Sequence, residues 1–461
     1  MELNITRLAP NNRRLQVDWM KSGIPSGVSL AIQYTTSGKD WDDCVSFSVE
    51  HDQKRAMISN LENGLDYRLR LVALDDQEQV LVESATRLFR TGFVPGVAVN
   101  YIHPEDYTYN FSGRSPASPS IVKLPTGKLI ASHDVFWGNH GQNLTLVFQS
   151  SDEGNTWEFL SEISPCFWGK LFLHRSALYM LSTSTEYGAL LIRRSDDQGR
   201  TWSEPTEILP AGDRKSGGPH KAPVPVLEYQ GRLFSAVELG SWSLGGHDAG
   251  VVSAPVDADL LDPKSWTVTP FLPYDPTWPG AIRNGENPSM LEGNVVVTPN
   301  GKLVNILRYH TRGGQPDYGK AIMLDIDTDR PAAPLKFRQV IDFEGNMSKF
   351  TILYDEQSKK YWSLVNRVTT ENVNQRNVLT LVSSTNLVNW NIEADILNYE
   401  DNGWPEDLTK VGFQYVDWLI DHDDILFLSR TAINGAWNFH NANHITFHRI
   451  ENFRSISNVL D

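Results

Sequence analysis

Arg308, Arg367 and Arg430 each stand at the end of an apolar run, as in Ile306-Leu307-Arg308, Leu364-Val365-Asn366-Arg367 and Leu428-Ser429-Arg430. A guanidinium is a rigid, planar fork of donors that matches a carboxylate at two points, so arginines converging from three segments would read an acid. Counting seven residues from each turn glycine, or its equivalent, reaches Asp134, Thr183, Glu238, Arg308, Asn366 and Arg430, all polar or charged. Arg367 lies one residue outside that register. Segments that are apolar up to one register and polar beyond it are expected when their ends surround a polar pocket. Neighbouring loops add Trp168, Lys170, His220, Lys221, Glu292, Lys349, Gln414 and Asp417, together with Trp137, His140, Tyr187, Trp242 and His310. Trp137, Trp168 and Trp242 suit stacking on sugar rings. Glu238, Glu292 and Asp417 could serve acid–base chemistry, although no spacing pairs any two of them. The expected ligand is a sugar acid, contacted by Trp137, Trp168, Glu238, Arg308, Arg367, Gln414 and Arg430.

The whole chain narrows the function classes. Its 461 residues predict two or three domains, or one large repeat fold with a small companion. Lys+Arg of 41 against Asp+Glu of 56 leaves a formal charge of −15, which repels phosphate backbones and argues against a nucleic-acid partner. No run of 18 apolar residues is present to cross a bilayer, so no membrane partner is expected. The 14 tryptophans exceed what a core alone usually takes and fit a carbohydrate partner. Cys44 and Cys166 fall in different expected domains, which excludes a disulfide framework. Neither a His-x-x-x-His nor a cysteine cluster appears, so no metal is expected in catalysis and no cofactor is required. A structural calcium is conceivable where strand carbonyls converge on a ring axis. Met1-Glu2-Leu3-Asn4 lacks a basic-then-apolar leader, which predicts a cytoplasmic protein, or a secreted one if a signal peptide was removed. Oligomeric state is left open.

Short apolar runs separated by Gly or Asn turns predict an all-β chain. Within residues 1–92, Trp19 on a strand and Leu61…Tyr67 leading into Arg68-Leu69-Arg70-Leu71 resemble a fibronectin type III β-sandwich, which implies a spacer or docking module. Further on, Ser150-Ser151-Asp152-Glu153-Gly154-Asn155-Thr156-Trp157 recurs 45 residues later as Ser195–Trp202, and in decayed form as Ser383–Trp390. This Asp-box turn resembles that of sialidase-type β-propellers, in which it joins the third and fourth strands of a blade. Six inner-strand starts, at Ser120, Lys170, Val224, Asn294, Phe350 and Tyr415, predict six blades, with seven as the alternative. The expected organisation is a sandwich over 1–92, a linker and ring-closing strand over 93–112, and a propeller over 113–461.

A closer likeness covers Leu129–Asp134, Phe172–Tyr179, Glu186-Tyr187-Gly188, His220–Val226, Gly412–Trp418 and Asn441–His444. These segments are similar to propeller enzymes that remove terminal L-rhamnose from α-1,4-linked glucuronic acid, by hydrolysis or β-elimination. That resemblance implies a central catalytic role for His133, and acid or base roles for Tyr187 and His220. Sialidases are the second reading. They carry Arg-Ile-Pro at the first inner strand, where this chain has Ala117-Ser118-Pro119, and they use a Tyr nucleophile activated by Glu, a pair that no local spacing identifies here. A non-catalytic lectin is the third.

Overall fold

The computed structural model of the chain describes residues 1–106, 114–137, 141–345, 347–401, 403–404 and 409–456. Near the N-terminus, a three-stranded sheet (Glu2–Asn11, Arg14–Ser22, Arg55–Ser59) faces a five-stranded one (Ser29–Thr36, Val45–Val49, Asp66–Leu74, Val80–Glu83, Arg87–Arg90). Strand alternation buries Tyr67, Leu69 and Leu71 while Arg68 and Arg70 face outward. Between the sheets lies one core containing Leu8, Leu15, Val17, Trp19, Ile32 and Phe89. The backbone N–H of Glu62 donates to the Tyr67 hydroxyl at 2.9 Å and pins the corner that leads into the strand.

Six antiparallel sheets follow, the blades of a propeller. Their inner strands are Ser115–Lys123, Phe167–His174, Gly218–His220 with Leu227–Tyr229, Ser289–Val297, Ile352–Asp355 and Gly412–Asp421. Blade six takes its outermost strand, Val97–Tyr101, from the start of the propeller, where it pairs antiparallel with His444–Ile450. This pairing closes the ring without leaving a free sheet edge there. The Asp-box turns close as their side chains dictate: Asp152 accepts from the N–H and hydroxyl of Thr156, and the Gly154 N–H donates to Ser150. Trp157 then wedges against Phe447 of blade six, ring centroids 5.5 Å apart. In the decayed box Asn386 replaces the aspartate, and Leu387 takes a positive φ of 66° where glycines hold 91° and 92° in the intact copies.

The sandwich is bound to the closing strand by charge. Arg7, 2% exposed, donates through Nε to Val99 O and through Nη2 to Ala98 O, while Nη1 pairs with Asp18 at 3.0 Å. Arg55 bridges Asp18 to Trp157 O of blade one, and buried Arg87 pairs with Asp106. The N-terminal unit thus holds the strand that closes the ring.

Candidate functional site

At one mouth of the ring a cavity of about 380 Å³ is lined by residues of several blades, among them Trp168, Tyr187, His220, Glu292, Arg308, Arg376, Tyr415 and Arg430. Its construction rests on a repeated backbone device. The inner strands of blades one, two, four and six each break register once, between Ala117 and Ser120, Phe167 and Lys170, Leu291 and Asn294, and Gln414 and Asp417. Within each bulge one residue takes a left-handed conformation: Ser118, Trp168, Glu292 and Tyr415, with φ of 47°, 53°, 57° and 54°. A bulge re-aims a side chain that regular alternation would send elsewhere, and all four line the cavity. Gly293 follows Glu292 because a Cβ there would lie 2.2 Å from the Asn305 side chain.

The register counted from the turn glycines is real in space. Asp134, Thr183, Glu238, Arg308 and Arg430 sit opposite Ala117, Phe167, His220, Leu291 and Gln414 on their inner strands. Only Arg308 and Arg430 of the six counted residues line the cavity. The others build its walls. Asp134 accepts from the Trp168 N–H at 2.8 Å, Thr183 donates to Phe167 O, and Asn366 donates to Phe413 O. Glu238 accepts from His220 Nδ1 at 3.0 Å and from the Gly293 N–H. It therefore positions the imidazole and is not a substrate contact.

The chemical centre is a pair. Tyr415 Oη donates to Glu292 Oε1 at 2.8 Å, and Arg308 Nη1 reaches Glu292 Oε2 at 2.9 Å and Tyr415 Oη at 3.2 Å. Burial pushes Glu292 upward, but Arg308 and His220, with hydrogen bonds from Arg308 and Tyr415, more than offset it and hold the carboxyl below its usual range. Burial, then the charge of Glu292, raises the phenol of Tyr415. At neutral pH the pair is a carboxylate beside a phenol, ready to take that phenol's proton.

Around the pair stand three arginines with donors to spare. Arg308, Arg376 and Arg430 each keep a buried Nε without a partner among the described residues. Arg376 is braced by Gln414 Oε1, Ser348 Oγ and Met347 O, and Arg430 by His440 O, so neither can swing to find another acceptor. Burial lowers both guanidinium groups to about 10, still charged at neutral pH. Fixed, desolvated cations lining one cavity suit an anion. On the opposite wall Trp168, Tyr187, His220 and His247 form an aromatic cluster, with His220 4.5 Å from both Trp168 and His247 between ring centroids. Burial raises the Tyr187 phenol to about 12.

Of the residues expected from sequence, Trp168, Tyr187, His220, Trp242, Glu292, Arg308 and Arg430 meet at the cavity. Others that were expected to act on a substrate lie elsewhere. His133 is fully buried, stacked on Phe148, with Nδ1 donating to Asp134 O and Nε2 accepting from Asn100 of the closing strand. Burial depresses it to about 4, so it is a neutral core residue with both nitrogens engaged. Trp137 packs into the core between blades one and six. Arg367 is tied to Asp395, and Gln414, wholly buried, braces Arg376. Lys170, Lys221 and Lys349 are buried within electrostatic reach of Asp417, and Lys221 also of Glu238. His140 lies outside the described residues. Arg376 and Tyr415 were missed as site residues. Arg376 returns from the loop that follows Arg367, so that loop's second arginine was the available signal; Tyr415 depends on a bulge with no sequence marker.

Replacing His133 by Ala is therefore expected to destabilise the fold by about 2–4 kcal/mol, through the vacated volume and the orphaned Asn100 amide. Thermal unfolding measures the loss, and turnover in the folded variant should stay within about threefold of the parent, since a general acid or base would contribute at least about 10².

No family model matches the chain, and no curated protein does. Among solved structures it is similar to an α-L-arabinanase of Penicillium chrysogenum complexed with arabinobiose, at 14% identity and a TM-score of 0.51, over 79% of this chain and 99% of that one. It is also similar to the α-L-arabinofuranosidase Arb93A of Fusarium graminearum in complex with an iminosugar inhibitor, at 12% identity and a TM-score of 0.51, over 78% and 98% of the two chains. The likeness is one of fold, a β-propeller.

Proposed function

We propose that the protein is an exo-acting glycoside hydrolase that removes a terminal sugar acid from a glycan. The observation that carries this reading is the Tyr415–Glu292 pair bridged by Arg308. Most glycosidases use two carboxyl groups, with tyrosine nucleophiles a recognised exception. A carboxylate nucleophile would be repelled by an acid group on the carbon it attacks. A phenol stays neutral until the bond forms and then delivers its proton to the neighbouring carboxylate. In the first step Tyr415 Oη bonds to the anomeric carbon, its proton passes to Glu292, the glycosidic bond breaks, and the leaving oxygen takes a proton from the imidazole of His220. In the second, His220 takes a proton from water, the hydroxyl attacks the anomeric carbon, and Tyr415 leaves and recovers its proton from Glu292. Arg308, Arg376 and Arg430 hold the carboxylate throughout, while Glu238 keeps His220 aimed.

The rhamnosyl-glucuronate reading retains the acid-reading arginines but loses its central histidine to the core. A lectin would have no use for a poised phenol–carboxylate pair. Residues 1–92 we read as a fibronectin type III-like module without catalytic groups, seated on the ring-closing strand. The reading is tested by incubating the full chain with fluorogenic ketosides of a 2-keto sugar acid, with the α-L-rhamnoside and α-L-arabinofuranoside, and with rhamnosyl-α-1,4-glucuronate oligosaccharides. Release of the free sugar acid is expected. Binding without turnover of any substrate identifies a lectin, and absorbance of an unsaturated uronate identifies a lyase; either result overturns the assignment.

A further inference from the structure

Arg114, immediately before the inner strand of blade one, also lines the cavity. Its guanidinium lies over the Trp437 ring, 3.7 Å from the centroid, and its backbone N–H donates to Phe136 O at 2.6 Å. Its Nε is buried without a partner, and its side chain makes no hydrogen bond or ion pair among the described residues. Trp437 belongs to the blade-six loop between Asp424–Ala432 and His444–Ile450, where Lys410 donates to its carbonyl. That single loop sets guanidinium groups from three blades. Trp437 lies under Arg114, Phe439 lies 5.5 Å from Arg376, and His440 O accepts from Arg430. Depth separates them: Arg376 and Arg430 are 6% and 1% exposed, whereas Trp437 is 45% exposed and puts Arg114 at the rim. The described carboxylates on the cavity are Glu186 and Glu292, engaged by Arg214 and Arg308, so none is left for Arg114, Arg376 and Arg430.

We propose that the substrate carries two acidic groups, and that Arg114, stacked on Trp437, binds the second of them at the rim. The inference rests on the sugar-acid reading for the group at Arg376 and Arg430, and it narrows the substrate class to dianionic glycan ends. One carboxylate occupies the deep arginines and leaves Arg114 over. A rim arginine ordinarily loses side-chain freedom when it grips an anion, but stacking has already fixed this one. Its Nη hydrogens form the planar fork that a carboxylate or a sulfate matches at two points. In an exo-acting site the terminal unit enters the cavity and its neighbour crosses the rim, so the second acid belongs to the neighbouring unit or to an outward-facing position of the terminal one.

Binding to the full chain is measured by calorimetry at pH 7 with D-galacturonate, which has one carboxylate, with galactarate, which has two on one unit, and with α-1,4-digalacturonate, which has one on each of two units. At least one diacid should bind about tenfold or more tightly than the monoacid, and which one does so tells whether the second acid lies on the same unit or the next. Arg114→Met, which keeps the apolar stem and removes the charge, should erase that gain. Equal affinities for monoacid and diacids, or a gain that survives Arg114→Met, overturn the proposal. Crystals soaked in sodium selenate probe the arginines without a sugar, and this map decides if none of the three acids binds or the variant does not fold. Anomalous density is expected both at Arg114 and at Arg376 with Arg430. Density at Arg376 and Arg430 alone overturns the second site and leaves the sugar-acid reading standing. Density at Arg114 alone removes that reading and spares the rim site, and a map empty at all three overturns both.

Discussion

Tyr415→Phe is expected to lower kcat by about 10³-fold or more on any substrate the protein turns over, because removing a nucleophile abolishes the route and leaves only transition-state binding. The substitution deletes one oxygen from a ring that is held in place by its bulge, with the guanidinium of Arg430 5.3 Å from the ring centroid. Glu292 keeps its bond from Arg308, so folding should change little. Intact mass spectrometry after quenching with a slow, fluorinated substrate supplies the second readout. The parent protein should carry a glycosyl adduct on Tyr415, and the variant none. A Tyr415→Phe protein within tenfold of the parent, or an adduct on another residue, would remove the tyrosine from the chemistry.

Arg376→Lys and Arg430→Lys should each reduce kcat/KM for a free acid by about tenfold or more, while the methyl ester of the same substrate loses little. Lysine keeps the charge and gives up the planar fork, so the comparison separates geometry from net charge. A charge-assisted hydrogen bond contributes roughly 1.5–3 kcal/mol, or about 10- to 150-fold. These two positions are cleaner probes than Arg308, which also holds Glu292 and Tyr415. Equal losses on acid and ester would mean that Arg376 and Arg430 only brace the loops around Met347 and His440, to which they are bonded.

How much of this was legible before the chain folded depends on how local each cause is. An Asp-box carries its own closure: Ser150, Asp152, Gly154 and Thr156 bond one another within a single turn, so the repeat announces a blade without reference to anything distant. Six inner strands and a common register at Asp134, Thr183, Glu238, Arg308, Asn366 and Arg430 follow from turn glycines and apolar runs, again local signals. That register located Arg308 and Arg430. It could not say that Glu238 faces His220, or that Asn366 spends its amide on carbonyl groups.

The pair at the centre was invisible for a different reason. Glu292 and Tyr415 are 123 residues apart and meet only because the ring brings blades four and six to one mouth. Each reaches that mouth through a bulge, and a bulge reverses the alternation on which strand reading depends. His133 failed in the opposite direction: a family resemblance singled it out, whereas its bond to Asn100 depends on where blade six closes on blade one. The sequence by itself therefore determined the all-β propeller, its repeats and the polar register of its strand ends, since these arise from contacts within a turn or a strand. Only the tertiary structure decided which polar groups face the cavity, because that choice is made by bulges and by neighbours hundreds of residues away.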